Sequence, residues 1–271
     1  MRALAVLTAA VAFAAGLALA GQAAFRQSSA APAPAAPSPI ASPSADPSSP
    51  EAPAPGQAAA GSYSVRYFFD GGARQPVLDS TSAHPLRVLT AQGGAIRHVP
   101  RAGGWALQFP PRCRVAASTC PRVILQGSRD DSLNPYTRPL RYGAAVLMTR
   151  NDTASGANVL QKGYSVGGAS QYKLQVDHLA GKPSCVVASR TTIYRAESRY
   201  TVADGRWHAL ACTRIGNRLT LYVDGAQRAS RYVPTTLSIA NTEPLRIGGK
   251  GTAPNNDQYA GQIDNVYVTI G

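Results

Sequence analysis

Apolar and polar residues alternate with a period of two from about residue 62 onward, most clearly in the stretch 202–225 (VADGRWHALACTRIGNRLTLYVDG). Asp204-Gly205 and Asp224-Gly225 are the pairs that supply positive φ angles to tight hairpin turns, and Gly216-Asn217 lies between them in the same role. Between the turns, Trp207 alternates with Ala209 and Ala211, and Leu219 with Leu221 and Val223. This predicts an antiparallel hairpin with those residues toward a core and His208, Arg218 and Thr220 outward. Segments 63–69, 96–99, 105–109 and 123–126 read as earlier strands, and 142–149 as a nearly continuous apolar, central one. A second hairpin joins 159–162 to 172–176 through the loop 163–171. Segments 184–189, 194–202, 237–239, 245–248 and 262–269 complete the set. No ten residues show an apolar period of 3.6 outside the N-terminal run, so almost no helix is expected.

A Trp-His pair opening a strand, then a turn, then a strand ending Leu-Tyr-Val-Asp-Gly resembles the signature hairpin of laminin G-like modules in the concanavalin A-like lectin/glucanase superfamily. NVLQKG (158–163), YKLQVD (172–177), LRIGGK (245–250) and GQIDNVYV (261–268) look like that module's other strands, in its order. The resemblance, to the secreted bacterial single-domain type, covers 105–271 well and 62–104 loosely. It implies an all-β fold: a two-sheet antiparallel β-sandwich, a jelly roll of the concanavalin A-like kind. It places a glycine where His178 stands, so a distorted turn is expected there, although histidine accepts a left-handed conformation more readily than most residues. The fold leaves function open, because such sandwiches serve lectins, glycosidases, adhesion modules and spacers alike.

The chain ends organise around this domain, assigned to 62–271. Met1-Arg2, an apolar run over 3–20 and Ala18-Leu19-Ala20 read as a signal peptide, or as an uncleaved signal anchor, in residues 1–26. Residues 27–61 are rich in Pro, Ala and Ser and read as a disordered linker. Export places the domain in an extracytoplasmic setting, secreted or at the cell surface, where four cysteines argue for disulfides. Three connectivities exist. Cys113 and Cys120 share a short loop, whereas Cys185 and Cys212 lie in separate predicted strands, so the expected pairs are Cys113 with Cys120 and Cys185 with Cys212. Zinc is excluded by spacing, since no two cysteines stand two to four residues apart.

The formal net charge is +13, with Lys and Arg totalling 27 against 14 acids. For an exported domain this directs attention to anionic wall polymers, acidic polysaccharides or a membrane surface rather than nucleic acid. A GC-rich codon bias also accounts for Arg-rich, Lys-poor usage.

Catalytic signatures fail one by one. Gly163-Tyr164-Ser165-Val166-Gly167 fits G-x-S-x-G, but a strand follows it and no βαβ unit surrounds it. Gly248 to Thr252 lacks the spacing of a phosphate loop. Glutamate occurs only at Glu51, Glu197 and Glu243, and the superfamily's same-strand Glu-x-Asp pair is absent; a hydrolase or lyase would need carboxylates such as Asp130, Asp131 and Asp152 brought together by loops. His84, His98, His178 and His208 are isolated, without metal spacing. The domain therefore reads as a non-catalytic binding module for carbohydrate or cell-envelope polymer. A protein-binding adhesion or structural module is the alternative, and an enzyme the third reading.

Ligand contacts are expected from aromatic and Asn/Asp-rich loops: Tyr136, Tyr164, Tyr172, Asn255, Asn256, Asp257 and Tyr259. Trp105 and Trp207 are assigned to the core. The resemblance also implies a structural or ligand-bridging calcium, for which Asp70, Asp264 and Asn265 would meet if the terminal strands pair. Ordinary turn capping by these residues is the alternative.

Overall fold

The computed structural model describes residues 63–72, 76–166 and 169–271; the export signal and linker assigned to 1–61 lie outside the described residues. Fifteen strands follow one another, beginning with β1 (Tyr63–Tyr67), β2 (Arg87–Ala91), β3 (Arg97–Arg101), β4 (Gly104–Phe109) and β5 (Arg122–Gln126). The central five are β6 (Leu140–Leu147), β7 (Gly156–Gly163), β8 (Gln171–Asp177), β9 (Lys182–Ala188) and β10 (Ile193–Glu197). The last are β11 (Trp207–Ile215), β12 (Arg218–Val223), β13 (Ala226–Tyr232), β14 (Leu245–Ile247) and β15 (Gly261–Ile270). They form two antiparallel sheets. The eight-stranded sheet runs β13-β12-β11-β6-β15-β4-β3, with β1 on β15, and the seven-stranded sheet runs β10-β9-β8-β7-β14-β5-β2. This is the predicted sandwich.

Between the sheets, alternate residues of each strand make one core. Val65, Tyr67, Leu107, Phe109, Tyr142, Val146, Leu210, Leu221, Ile263 and Val268 come from one sheet, and Leu125, Leu160, Tyr172, Leu174, Val187 and Ile247 from the other. Each such side chain contributes about 1.5–3 kcal/mol by leaving water. Two large polar rings fit because their hydroxyls reach backbone acceptors: Tyr142 donates to the Val186 carbonyl at 3.0 Å, and Tyr172 to that of Leu133 at 3.3 Å. Cys185 of β9 is bonded to Cys212 of β11, tying sheet to sheet, and Cys113 is bonded to Cys120 within its loop.

The organising hairpin forms at the expected turns, with φ of +82° at Gly205, +56° at Gly216, +52° at Asp224 and +75° at Gly225. At the turn where distortion is expected, His178 takes the left-handed conformation instead, with φ of +61°. The facing of β11, however, is the reverse of the expectation. Leu210 and Cys212 point to the core, and Trp207, Ala209 and Ala211 point outward. The disulfide and the Leu210 side chain decide the orientation, and a one-residue slip would reverse it. Trp207 is half-buried on the outer surface and Trp105 is 41% exposed, so neither belongs to the core. His208, expected outward, stands on the core side of the strand, at the sandwich rim. Arg214 follows Cys212 on that inner side. It is buried without a carboxylate partner among the described residues, and donates to the carbonyls of Thr137, Thr235 and Leu237, which closes one end of the core.

Candidate functional site

The outer face of the seven-stranded sheet is built from polar residues that the strand alternation forces outward. On β8, Tyr172, Leu174 and Val176 enter the core, so Gln171, Lys173, Gln175 and Asp177 face away from it. Cross-strand pairing sets Gln161 beside Lys173, Asn158 and Ser184 beside Gln175, and Arg246 between Gln161 and Gln126. An outward face is ordinarily solvated. Here Asn158, Gln161, Gln171, Gln175, Asp177, Ser184 and Arg246 are all buried.

Hydrogen bonds knit most of this layer. Asn158 Nδ2 donates to Gln161 Oε1 at 2.6 Å, and the side-chain amides of Gln161 and Gln171 both donate to the Gly163 carbonyl, at 3.3 and 3.0 Å. Asp177 accepts from Gln175 and from the Ser184 hydroxyl. Arg246 donates Nε–H to Gln126 Oε1 and Nη2–H to Glu243 Oε2, each at 2.9 Å. Burial would raise the Glu243 pKa, but the guanidinium groups of Arg246 and Arg129 hold it below the usual carboxylate value. Burial depresses the Lys173 ammonium, against the opposing charges of Asp257 and Asp177. Three buried atoms of the layer have no partner among the described residues: Asn158 Oδ1, Gln171 Oε1 and Arg246 Nη1. Buried polar atoms are nearly always paired, so three orphans on one face mark a place whose hydrogen bonding is incomplete in the protein alone.

Two loops border the layer. The first leaves β7 at Gly163, whose φ of +84° and whose close approach to the Ser170 carbonyl, 2.0 Å from where a Cβ would lie, admit only glycine. It carries Tyr164, whose ring lies 5.1 Å from the Arg246 guanidinium and whose hydroxyl donates to the Lys250 carbonyl at 2.8 Å. The second follows β14. Its Lys250 pairs with Asp257 at 3.0 Å, and the Asp257 carbonyl accepts from the Asn158 amide at 2.9 Å. Asn256 is buried and braces this loop by donating to the Gly251 carbonyl, while Asn255 is exposed with φ of +59°.

Of the expected ligand residues, then, Tyr164, Asn255, Asn256 and Asp257 gather at one border. Tyr136 is 45% exposed on another loop, where its contacts are a bridge to Ile239 and the Arg138 guanidinium. Tyr172 and Tyr259 correct the expectation. Both are fully buried, Tyr259 donating to the Gln262 carbonyl and meeting Phe109 edge-on at 5.7 Å, so neither ring presents a face to a ligand. The floor itself (Gln161, Gln171, Gln175, Arg246) was missed; its signal was the Gln-x-Lys-x-Gln-x-Asp series along 171–177.

The terminal strands do pair, β1 on β15, and bring Asp70 near Asp264. Burial raises the Asp264 pKa against the opposing Arg101, and Asp70 adds to the rise. Asp264 is salt-bridged to Arg101 and accepts from the Asn265 amide at the bulge, and Asp70 accepts from the Trp105 amide at 2.9 Å. Calcium enters this arrangement only by displacing a guanidinium, and no group of three or more His, Cys, Asp or Glu converges among the described residues.

A model of the concanavalin A-like lectin/glucanases superfamily, of the laminin G type, matches residues 144–269. Those residues form a laminin G-like domain. No curated protein matches the chain by sequence. Among solved structures, the laminin G-like sandwich is similar to domain 4 of a GH43 extracellular arabinanase from Geobacillus stearothermophilus, determined in complex with arabinotriose. The TM-score is 0.57 at 16% identity, over 76% of this chain and 91% of that one. The binding domain of Paraclostridial Mosquitocidal Protein 1 matches with a TM-score of 0.52 at 13% identity over 76% of this chain, and that of botulinum neurotoxin DC, in complex with SialylT, with 0.50 at 11% over 71%. The chain spans about half the length of these two toxin domains, 48% and 44%. At such identities the likeness is one of fold.

Proposed function

We propose that this is an exported, non-catalytic module that binds carbohydrate on the outer face of the seven-stranded sheet, between Tyr164 and the Lys250 to Asp257 loop. The observation that carries the reading is the set of orphaned atoms, Asn158 Oδ1, Gln171 Oε1 and Arg246 Nη1, among a layer of side-chain amides. Amides and guanidinium groups offer donors and acceptors in the mixture that sugar hydroxyls need, and Tyr164 adds an aromatic edge. Similar sandwiches solved with arabinotriose or SialylT support a glycan ligand. Hydrolysis asks for an opposed acid and base or nucleophile. The carboxylates around this face are instead engaged: Asp177 with Gln175 and Ser184, Asp257 with Lys250, Glu243 with Arg129 and Arg246, Glu197 with His178 and Arg195. Two disulfides suit the oxidising compartment that the N-terminal signal implies.

The test is binding of the purified protein to an array of neutral and acidic glycans, at two salt concentrations, with and without calcium. Saturable binding that survives raised salt and falls at least tenfold in Gln161→Ala and Arg246→Gln, with folding intact, is expected. Binding that ignores both substitutions would move the site elsewhere, and no binding to any glycan would favour the protein-adhesion alternative. The calcium arm tests Asp70, Asp264 and Asn265: loss on chelation would place a cation there, and unchanged binding would remove it from the account.

A further inference from the structure

The outer face of the other sheet has a different chemistry, which the carbohydrate site does not use. The eight strands of that sheet carry eight arginines and one carboxylate, Asp264. Five of the arginines face outward by register: Arg66 lies between buried Val65 and Tyr67, Arg141 between Leu140 and Tyr142, Arg218 precedes Leu219, and Arg97 and Arg101 share the outer side of Gln108 and Gly104. Asp264 is neutralised by Arg101. Arg66, Arg97, Arg141 and Arg218 therefore have no carboxylate partner among the described residues.

The surface between them is low and orderly. One cross-strand row reads Arg66, Tyr267, Gly143, Ala211, Tyr222, and the next reads Thr269, Arg141, Thr213, Thr220, Ser230, of which Thr220 is buried. Tyr267 leans across Gly143 so closely that a Cβ there would lie 2.7 Å from its hydroxyl. Arg66 is held between two rings, 5.4 Å from Phe68 and 5.8 Å from Tyr267, which orders its guanidinium before any partner arrives. With strands about 4.8 Å apart and about 3.4 Å per residue, the four steps from β1 to β12 and the four-residue offset between Tyr222 and Arg218 set Arg66 and Arg218 about 23 Å from one another. Lysine is absent from these strands; the chain's four lysines, Lys162, Lys173, Lys182 and Lys250, lie in the seven-stranded sheet or just after β14. Guanidinium groups grip oxyanions two bonds at a time and stay charged at any relevant pH.

We propose that this face binds a linear acidic polysaccharide, its carboxylates meeting Arg66, Arg141 and Arg218 and its sugar rings lying along the hydroxyl row and the rings of Tyr222 and Tyr267. It is a second surface, on the sheet opposite the carbohydrate site. A flat row of charges, with Tyr267 lying against the sheet rather than projecting, fits an extended chain better than a bilayer.

The test uses polygalacturonate, with its fully methyl-esterified form as a neutral chain of the same sugars, and vesicles of anionic phospholipid as a third arm. The full protein should bind polygalacturonate and not the ester, and Arg141→Gln/Arg218→Gln should weaken that binding at least tenfold without lowering Tm. An equal change of charge away from this face, Arg87→Gln in β2 with Arg190→Gln in the turn after β9, should weaken it less than threefold. Equal loss in both doubles would reduce the effect to net charge and overturn the proposal. So would absence of binding by the unaltered protein, equal binding of the ester, or vesicle binding that alone depends on Arg141 and Arg218. Because the glycan array reports on Gln161 and Arg246, failure of either surface is visible without the other.

Discussion

The two outer faces of this sandwich obey the same alternation and reach opposite outcomes. On the eight-stranded sheet the outward residues are arginines, threonines and small aliphatics such as Gly143, Ala145 and Ala211, and Arg97, Arg141 and Arg218 stand in solvent. On the middle strands of the seven-stranded sheet the outward residues are mostly amides, with Asp177 and Arg246, and they are buried, with two loops at their border. A long charged side chain on an open sheet needs no partner, because water screens it. A buried amide does, and three atoms here lack one among the described residues. The comparison teaches that polarity along a strand says which way a residue points and not whether water reaches it. Tertiary packing settles the second question.

The largest expected effect tests whether the two faces depend on one scaffold. Cys185–Cys212 closes a loop of 27 residues' separation and joins the sheets across the core, whereas Cys113–Cys120 closes one of 7 within a single loop. Loop-closure entropy assigns them about 3.6 and about 2.5 kcal/mol. Cys185→Ala/Cys212→Ala should lower the guanidinium midpoint more than Cys113→Ala/Cys120→Ala, and should weaken glycan and polygalacturonate binding together as the unfolded fraction rises. If one activity survived while the other vanished, the sheets would be energetically separable.

Much of the fold could be read before any coordinates, and the reasons are local. Asp204-Gly205, Gly216 and Asp224-Gly225 announce their turns because few other residues adopt those φ values without strain. Cys185 and Cys212 paired as expected because each lay within a recognisable strand. What escaped depended on partners distant in sequence. The strand β13 (AQRASRY) is an edge strand exposed on nearly every residue, so it has no apolar alternation to detect. The facing of β11 is not legible from sequence because Trp207 is its largest side chain and draws the apolar face to itself, whereas the Cys212 bond that overrides it is a tertiary fact. Tyr172 and Tyr259 were taken for ligand rings because a tyrosine beside Asn, Gln or Asp looks the same in core and loop; only the backbone acceptors of their hydroxyls distinguish the two. The border of the site, Tyr164 and Asn255 to Asp257, was legible as turn-rich loop. Its floor was not, since Gln171, Lys173 and Gln175 alternate as any solvated strand face does.

A smaller effect sharpens the contrast between the faces. Gln171 donates to the Gly163 carbonyl, which keeps Gln161 as a second donor, and its own Oε1 is unpaired. Removing the Gln171 amide leaves the Gly163 carbonyl its other donor and takes away the unpaired Oε1, so the penalty of an orphaned buried partner does not arise. Gln171→Met should therefore change stability by less than about 1 kcal/mol, in either direction, while reducing glycan binding at least tenfold. A loss of 3 kcal/mol or more, about the cost of a fully paired buried group, would make the amide layer structural and remove the argument that its orphans await a ligand.

The smallest effect concerns acidity, and it belongs to the eight-stranded sheet. His208 sits at the rim with Nδ1 2.7 Å from Asp224 and Nε2 3.0 Å from Asp204, so one imidazole bridges the two turns of the organising hairpin. Burial opposes its charge, but hydrogen bonds to both carboxylates outweigh that and hold its pKa above the ordinary value. A group whose folded pKa is raised lends its full stabilisation below the unfolded pKa, about 6.5, and loses it as pH rises through the higher folded value. Because the groups are partly solvated, the contribution should stay under about 1 kcal/mol. Unfolding free energies measured between pH 5.5 and 8.5 should fall gently above about pH 6.5 in the unaltered protein, and His208→Gln should flatten that decline. If the decline persisted unchanged in His208→Gln, the clamp would be holding the turns by shape alone, and the pH response of this sheet would have to come from another group.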